Sequence, residues 1–321
     1  MKPNKLHIAL FLLFWGASSA AIAQNGGSAG SFSRMGFGPR GMAMGNALIS
    51  HTENGIYSYY NPALAAQSMN TQVDFSTAAM SFDRSLNTAS GTFALPPTAG
   101  ASFSIINANV SDIDGRTSSG YHTTMLSTHE YQIAAAFGQQ IRDHFSMGVG
   151  LKYYISDLHN DLPNATTLGL DLGILYRFSD RLQAGAVIRD LLASYRWSSG
   201  SLYGDNSSAR TDPFPIQLQL GLSYQLIPAL LLSLEGGQIM HEGNAENNLK
   251  IGSSYQFHER MTVRGGWQIN DLSSIQQTNH FSTGFSVHLP FDLFSPSVDY
   301  AFVQEPNNIS YMHTFGIQLT L

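Results

Sequence analysis

Polar and apolar residues alternate along much of this sequence in segments of roughly 9–13 residues, the pattern of β-strands with one apolar face. In TLGLDLGILYRF, residues 167–178, every second residue from Leu168 to Phe178 is apolar. The opposite face carries Thr, Gly, Asp171 and Arg177, with Leu175 as its one apolar exception. The same alternation recurs in residues 145–155, 216–226, 281–289 and 311–321. The sequence therefore predicts an all-β fold.

The length of these segments and the composition of their polar face favour strands that cross a membrane. A tilted transmembrane strand needs about 9–11 residues. Charged residues make up 12% of the chain, and the polar face is mainly Gly, Ser, Thr and Gln, with few of the Lys and Glu that cover a water-exposed face. Aromatic residues gather toward segment ends, as in an interfacial girdle. A soluble β-sandwich or a lipocalin-like barrel also alternates and is the alternative fold.

Fourteen segments have the length and alternation of such strands, and lipid requires them to close, because an open sheet edge would leave backbone groups unpaired in hydrocarbon. An even number places both ends of the barrel on the periplasmic side. We expect short periplasmic turns at 142–143, 179–180 and 258–259, and longer surface loops at 109–128, 157–165, 192–213 and 270–278. The strand candidates are 72–81, 84–95, 98–108, 129–139, 144–156, 166–178, 181–191, 214–226, 229–240, 247–257, 260–269, 279–290, 296–304 and 308–321.

The first 23 residues have the organisation of a cleaved secretory signal peptide. Lys2 and Lys5 precede an apolar run at 8–15, and Ala21-Ile22-Ala23 gives an A-x-A cleavage site before Gln24. A membrane-spanning helix needs about 20 apolar residues, more than this run offers. The predicted organisation is signal peptide 1–23, glycine-rich hatch 24–70 in the lumen, and barrel 71–321. The expected location is the outer membrane of a Gram-negative bacterium.

The final eight residues, TFGIQLTL, fit the terminal-strand signature of outer-membrane barrels. That signature places a polar residue, a glycine and two apolar residues where this chain has Thr314, Gly316, Leu319 and Leu321. A terminal Phe is more usual than Leu. We therefore expect the last strand to pair along its whole length.

Two stretches near the start of the mature chain resemble a known family. GPRGMAMGNA, residues 38–47, is similar to the G-x-R-x-x-G-M-G-x-A stretch of the PorV/PorQ family and its FadL-like relatives, and YYNPAL, residues 59–64, resembles their W-N-P-A-x-L signature. Residues 112–115, 148–153, 170–176 and 299–302 resemble later stretches of the same family. The resemblance implies a fourteen-stranded outer-membrane barrel with an N-terminal hatch, in which the hatch residues are Arg40, Gly41, Gly45, Asn61 and Pro62.

The resemblance favours one function, an accessory role in type IX secretion, and leaves one alternative. PorV/PorQ proteins are accessory components of type IX secretion, whose partners are secreted cargo proteins and a cell-surface attachment complex. The alternative is a FadL-like channel that carries hydrophobic small molecules through a lateral opening in its wall, with a hydrophobic ligand or lipid as partner. For this alternative we expect a greasy pocket beside the hatch and a kink or break at Pro96-Pro97 or at residues 107–109, which flank the third strand. Outer-membrane lipid surrounds the barrel on either view.

No motif in the sequence indicates catalysis, a cofactor or a metal. The chain has no cysteine, which excludes disulfides, thiolate zinc sites and thiol catalysis. It has no Lys/Arg cluster that could follow a nucleic acid backbone. An outer-membrane hydrolase is the third hypothesis, because His122 and His129 lie near Ser127 and Glu130. The spacing of these residues matches no known catalytic motif.

Charged residues on the predicted polar faces are the remaining candidates. Asp112, Asp114 and Asp143 could ligate calcium, although Asp112-x-Asp114-Gly115 also fits an Asx-type turn. Lys152, Asp171 and Arg177 face the predicted lumen. Such charges pair with one another or with the hatch backbone, or line a solute path.

Overall fold

The computed structural model describes residues 27–52, 58–159, 161–198, 200, 208–275, 279–289, 291, 295–305 and 310–321. The predicted signal peptide and its cleavage site lie outside these residues. Among the residues described, no helix combines the length and apolar character that a membrane-spanning helix requires. The strands are β1 (Gln72–Met80), β2 (Arg84–Leu95), β3 (Ala99–Arg116), β4 (His122–Arg142), β5 (Phe145–Asp157), β6 (Ala165–Ser179), β7 (Leu182–Leu191), β8 (Ser194–Ser198), β9 (Ala209–Pro213), β10 (Ile216–Ile227), β11 (Leu230–His241), β12 (Asn244–His258), β13 (Met261–Ile269), β14 (Asn279–His288), β15 (Ser295–Gln304) and β16 (Tyr311–Thr320).

Fourteen of these strands form one closed antiparallel barrel, as predicted from the alternation. Each barrel strand pairs with its neighbours in sequence, except that β7 pairs with β10 across the β8–β9 hairpin. The barrel closes between β1 and β16, where Gln72 is opposite Thr320. The Leu321 backbone N–H also donates to the Thr71 carbonyl at 2.9 Å. The last strand is therefore paired along its length, as expected.

The two faces of the strands point where the alternation predicts. On β6, Leu168 and Phe178 are 64% and 59% exposed on the outer wall, whereas Asp171 and Leu175 are each 2% exposed inside. An apolar surface this extensive would aggregate in water. It matches the lipid-facing side of an outer-membrane barrel. Bacterial outer-membrane barrels have their chain ends at the periplasmic side. The opposite end of this barrel is its outer end.

Two of the predicted surface loops contain β-structure. The 109–128 segment was expected to be a loop, but β3 runs to Arg116 and β4 begins at His122, so the two strands extend past Val110 as a two-stranded ribbon. The ribbon persists because its ladder continues through bulges, one of them at Asp112 with φ 54°. The 192–213 segment contains the β8–β9 hairpin, a separate two-stranded sheet.

The third strand is regular where a kink was expected. β3 pairs with β2 without a register shift from Ala99 to Val110, which includes residues 107–109. Pro96-Pro97 lies in the turn between β2 and β3, where two residues that cannot donate to a ladder are tolerated. The prediction of an interruption at 107–109 is therefore wrong for this structure, because these residues stay paired with both β2 and β4.

The lumen is filled by residues that precede β1, the predicted hatch. A short helix α1 (Gly38–Ala43) begins with Pro39 near its start, where proline is tolerated. Two 3-10 helices flank it at Ser31–Arg34 and Pro62–Gln67. Met42, Met44 and Leu48 are at most 1% exposed. The core of the molecule thus lies between the hatch and the inner face of the wall, as a lumen of this width requires if it is to be closed.

Candidate functional site

Arg40 attaches the hatch to one side of the barrel. Its Nε lies 3.0 Å from Oδ1 of Asp299 on β15, and its Nη2 donates to the hydroxyl of Ser297 on the same strand. Both charged side chains are about 5% exposed or less. A buried pair of this kind holds position, because either partner alone would be a desolvated charge.

The opposite side of the hatch is held by charges that belong to the wall. Glu235 of β11 accepts a hydrogen bond from the Ile49 backbone N–H at 2.5 Å. Arg189 of β7 donates to the Tyr60 carbonyl at 2.6 Å and lies over the Tyr59 ring at 5.9 Å. Burial raises the pKa of the Tyr59 phenol, so this ring faces Arg189 in its neutral form. The hatch is therefore tied to β7, β11 and β15, at separated points around the barrel.

The Asn61-Pro62 turn seats the hatch against the periplasmic half of the wall. The Asn61 side chain accepts from the Ala63 N–H at 3.0 Å and donates to the Ile49 and Ile174 carbonyls at 2.8 and 3.1 Å. Pro62 then begins the 3-10 helix. A Cβ at Gly148 of β5 would overlap Pro62, and one at Gly173 of β6 would overlap the Asn61 amide. Glycines in these strands permit the close approach of the hatch.

The two predicted hatch glycines have different surroundings. Gly45 has φ 62°, a left-handed conformation that favours glycine, and its backbone N–H donates to the Ser282 hydroxyl of β14 at 3.1 Å. A Cβ at Gly41 would overlap the Tyr60 hydroxyl. That hydroxyl bonds the Asn46 side chain at 2.8 Å. The motif residues therefore shape the hatch itself.

The structure brings together two of the three predicted lumen charges. Lys152 Nζ lies 2.8 Å from Asp171 Oδ2 and 2.9 Å from Asp190 Oδ1. Arg177 is separate, at the periplasmic end. Asp190 also accepts from the Tyr154 hydroxyl at 2.6 Å and from Gln217 Nε2 at 2.8 Å.

Sequence alternation missed Asp190 because a bulge turns it inward. Arg189 already points into the lumen, so strict alternation places the next residue in lipid. Between Leu170 and Leu172 the register of β6 and β7 shifts, and Asp190 takes φ 61°. Both side chains are consequently buried, at 5% and 1% exposure. An aspartate next to an inward arginine was the one available signal of such a bulge.

Aromatic side chains fill the outer lumen above this charged group. We call Phe32, Tyr154, Tyr195 and Phe214 the aromatic cluster. The ring centroids of Tyr154 and Phe214 are 4.6 Å apart, those of Tyr195 and Phe214 are 4.9 Å apart, and Phe32 meets Tyr154 at 6.4 Å. Tyr195 lies on the β8–β9 hairpin and Phe214 directly follows it. The hairpin therefore folds over the start of the hatch.

A second apolar surface lies across the lumen from the hairpin. Six inward side chains of the outer wall are apolar here, and all are at most 7% exposed: Ala78, Leu86, Ile106, Ala301, Val303 and Met312. These residues belong to the same hydrophobic core as the buried residues of the hatch. The outer lumen is thus apolar on two sides.

The periplasmic end is polar by contrast. A cavity of about 430 Å³ lies beneath the hatch, lined by Gln67, Asn70, Gln140, His144 and Arg177 among others. A second cavity of about 260 Å³ is lined by residues that include His51, Gln225, Gln256 and Arg264. Polar cavities of this size have room for solutes and for hydrated side chains.

Most residues considered for catalysis or metal binding lie on the external ribbon, whereas Asp143 lines the cavity beneath the hatch. His122 Nδ1 is 2.6 Å from Asp114 Oδ1, and Arg116 Nη2 is 2.5 Å from Asp114 Oδ2. All three are exposed, and no Ser or Thr hydroxyl of the described residues hydrogen-bonds the His122 ring. The described part of the chain also contains no group of three or more residues placed to hold a metal ion. The Asp–His contact forms part of a surface ion-pair group.

Comparison with known proteins supports the fold through structure and not through sequence. No protein-family profile and no curated protein matches the chain. Among solved structures, the toluene transporter TodX of Pseudomonas putida is similar with a TM-score of 0.61 and 14% identity, over 89% of this chain and 96% of that one. A Pseudomonas aeruginosa FadL homologue is similar with a TM-score of 0.60 and 11% identity, over 89% of this chain and 99% of that one. The monoaromatic hydrocarbon channel CymD is similar with a TM-score of 0.58 and 12% identity, over 89% of this chain and 97% of that one.

These structural neighbours are FadL-type outer-membrane barrels. At 11–14% identity the likeness concerns the fold, since one fold hosts several functions. The fold prediction is confirmed at this level. The narrower PorV/PorQ resemblance remains a prediction from the sequence motifs.

Proposed function

We propose that this protein is an outer-membrane channel of the FadL type, which passes hydrophobic small molecules through a hatch-filled lumen. One observation carries the proposal: the outer lumen is lined by apolar side chains. Outer-membrane channels for polar solutes have a polar interior. An apolar interior favours an apolar passenger, because moving apolar surface out of water is favourable by about 25 cal/mol per Å².

The arrangement of apolar and polar surfaces has the order that such a passenger needs. On this proposal a molecule from outside passes between the aromatic cluster and the buried apolar wall around Ile106 once the β8–β9 hairpin moves. Below the hatch it reaches the polar cavities, from which it is released toward the periplasm. The solved neighbours named as toluene and monoaromatic hydrocarbon channels support this class of solute. On this proposal residues 1–23 are removed on export and the barrel resides in the outer membrane of a Gram-negative bacterium.

Uptake measurements in cells test the proposal. We expect a strain that lacks the gene to take up labelled toluene and dodecane more slowly, and the wild-type gene to restore the rate. Phe214→Asp places a charge in the aromatic cluster and should fail to restore uptake. Thr211→Asp places the same charge on the exposed face of the same hairpin and should restore it. Full uptake through the Phe214→Asp variant would contradict the proposal.

Type IX secretion is the second candidate, and a different feature favours it. The β3–β4 ribbon projects past the barrel with both strand edges uncovered among the described residues, and an uncovered edge accepts a strand from a protein partner. Together with the PorV/PorQ resemblance of residues 38–47 and 59–64, the ribbon favours binding of secreted cargo or of a surface attachment complex. This candidate predicts unprocessed cargo in the periplasm of the deletion strain, with hydrocarbon uptake unchanged.

A further inference from the structure

Gln132 has an unusual position beside the aromatic cluster. It lies on β4 with its Cα opposite Ile106 on one side and Tyr154 on the other. Its side chain is 0% exposed, as are those of both neighbours. Neither its Nε2 nor its Oε1 has a hydrogen-bond partner in the described part of the chain. Because both amide atoms lack partners, exchanging them does not change this conclusion.

An orphaned buried amide is costly and therefore informative. A buried donor or acceptor without a partner weakens the fold, and in a folded protein such a group calls for an explanation, of which a bound water or other group is one. An aliphatic residue of similar size would fill the same space without this cost. The amide thus offers a donor and an acceptor to a bound group, at a position between Ile106 and the ring of Tyr154.

The groups around Gln132 indicate which class of ligand would bind there. Glu130, two residues earlier on the same face, accepts from the Ser156 hydroxyl at 3.2 Å. Arg34 of the hatch acts on Glu130, and its guanidinium already donates to the Ala29 carbonyl and the Ser28 hydroxyl. A ligand carboxylate at Gln132 would therefore lie close to this acid without a cation of its own, and like charges repel. The Tyr154 hydroxyl is already committed to Asp190. The ligand that fits is neutral and apolar over most of its length, and it carries one group that both donates and accepts a hydrogen bond.

We infer that Gln132 is the polar subsite of the lumen and that the channel takes neutral hydroxyl-bearing hydrophobic compounds, such as long-chain alcohols, in preference to hydrocarbons or carboxylates. This inference rests on the proposed transport function. The hydrophobic chain would occupy the space of the aromatic cluster once the hairpin moves. The ligand hydroxyl would donate to Gln132 Oε1 and accept from Nε2.

Binding of three probes with the same chain length tests this inference. Radiolabelled dodecanol, dodecane and dodecanoate are titrated against the purified full-length protein by scintillation proximity, with empty micelles subtracted. We expect dodecanol to bind about tenfold more tightly than dodecane, the effect of roughly one hydrogen bond, and dodecanoate to bind less tightly than dodecanol.

Matched variants assign the effect to Gln132. Gln132→Met keeps the side-chain volume and removes the amide, so the ratio of dodecanol to dodecane affinity should fall to about one while dodecane binding persists. Gln219 is also buried in the lumen at 1% exposure with an unpartnered Oε1, on β10. Gln219→Met should keep the wild-type ratio.

Four outcomes would overturn the inference. A wild-type ratio retained in Gln132→Met, or lost equally in Gln219→Met, contradicts the role of Gln132. Tighter binding of dodecanoate than of dodecanol contradicts the ligand class. If none of the three probes binds the wild-type protein above empty micelles, the proposed function itself fails, and the inference fails with it.

Discussion

Arg40 and Asp299 show how individual charges fix the hatch. They come from segments that are far apart in sequence, and each would be a desolvated charge without the other. Removing one partner of a buried ion pair costs about 3–5 kcal/mol, whereas replacing both by apolar residues costs far less. The pair therefore ties the hatch to β15 more firmly than an exposed pair would.

Asp299→Ala should consequently loosen the hatch more than removal of both charges. We expect amides of residues 38–47 to exchange with deuterium faster in Asp299→Ala, and the double variant Arg40→Met with Asp299→Ala to recover part of the protection. Hydrogen exchange with mass spectrometry of the purified barrel measures this. The exposed pair of Arg116 and Asp114 supplies the control, since Asp114→Ala should leave the hatch unchanged. Equal exchange in wild type and Asp299→Ala would show that the pair does not hold the hatch.

Sequence reasoning at this scale reached some residues and missed others. Alternation placed Lys152 and Asp171 on one inner face, because a regular strand has period two. It could not find Asp190, since a one-residue bulge reverses the direction of its side chain. It also gave no sign of Gln132, because an inward glutamine is ordinary in a polar lumen. The burial of Gln132 depends on neighbours that are distant in sequence.

At the scale of elements, the fit between the hatch and the wall depends on small residues in the strands. The Pro62–Gln67 helix approaches β5 so closely that a side chain on Gly148 would overlap it. The sequence indicated glycines in these strands, yet alternation alone does not distinguish an inward glycine that seats a plug from one that weakens a strand. The contact with the hatch makes that distinction.

Gly148→Val should displace the hatch and leave the barrel intact. We expect the purified variant to conduct ions in planar bilayers where the wild-type protein is largely closed, because the Val side chain occupies the position of Pro62. Gly265→Val is the matched control, since Gly265 is on the outer face of β13 and a Cβ there meets only Ser253 Oγ at 3.7 Å. If both variants remain closed, the close approach of Pro62 to Gly148 is not needed to close the pore.

The β8–β9 hairpin is the element that the sequence predicted least well. Residues 192–213 are rich in polar and small residues, which is typical of a surface loop. The hairpin nonetheless buries Tyr195 and packs with Phe214 against Tyr154, which supplies the apolar contacts that a two-stranded sheet cannot make alone. Its conformation is set by the lumen beneath it. A local pattern could not specify this.

At the scale of the whole molecule, the barrel followed from the sequence because lipid and closure leave few choices. Fourteen alternating segments with an apolar outer face must close on themselves in a bilayer, and the fourteen barrel strands correspond to those segments. The solute is not determined in this way, because it depends on which inward side chains meet across the lumen. Which solute passes therefore depends on the contacts between the closed wall and the hatch that fills it.

Deleting residues 27–70 from the mature chain tests whether the wall folds and seals independently of the hatch. The inward charges that now bind the hatch, such as Glu235 and Arg189, would face water in the deletion variant and would be solvated. We therefore expect the barrel to fold, to shift its gel mobility on heating like the wild type, and to form a steady ion-conducting pore. Tyr154 of β5 would lose its contact with Phe32 but keep its contact with Phe214, which follows the β8–β9 hairpin. The hairpin should therefore stay in place, and removing residues 194–213 should increase conductance further. A deletion variant that folds but does not conduct would place the seal in the wall and hairpin, and the hatch would then have a role in holding the passenger and not in closing the pore.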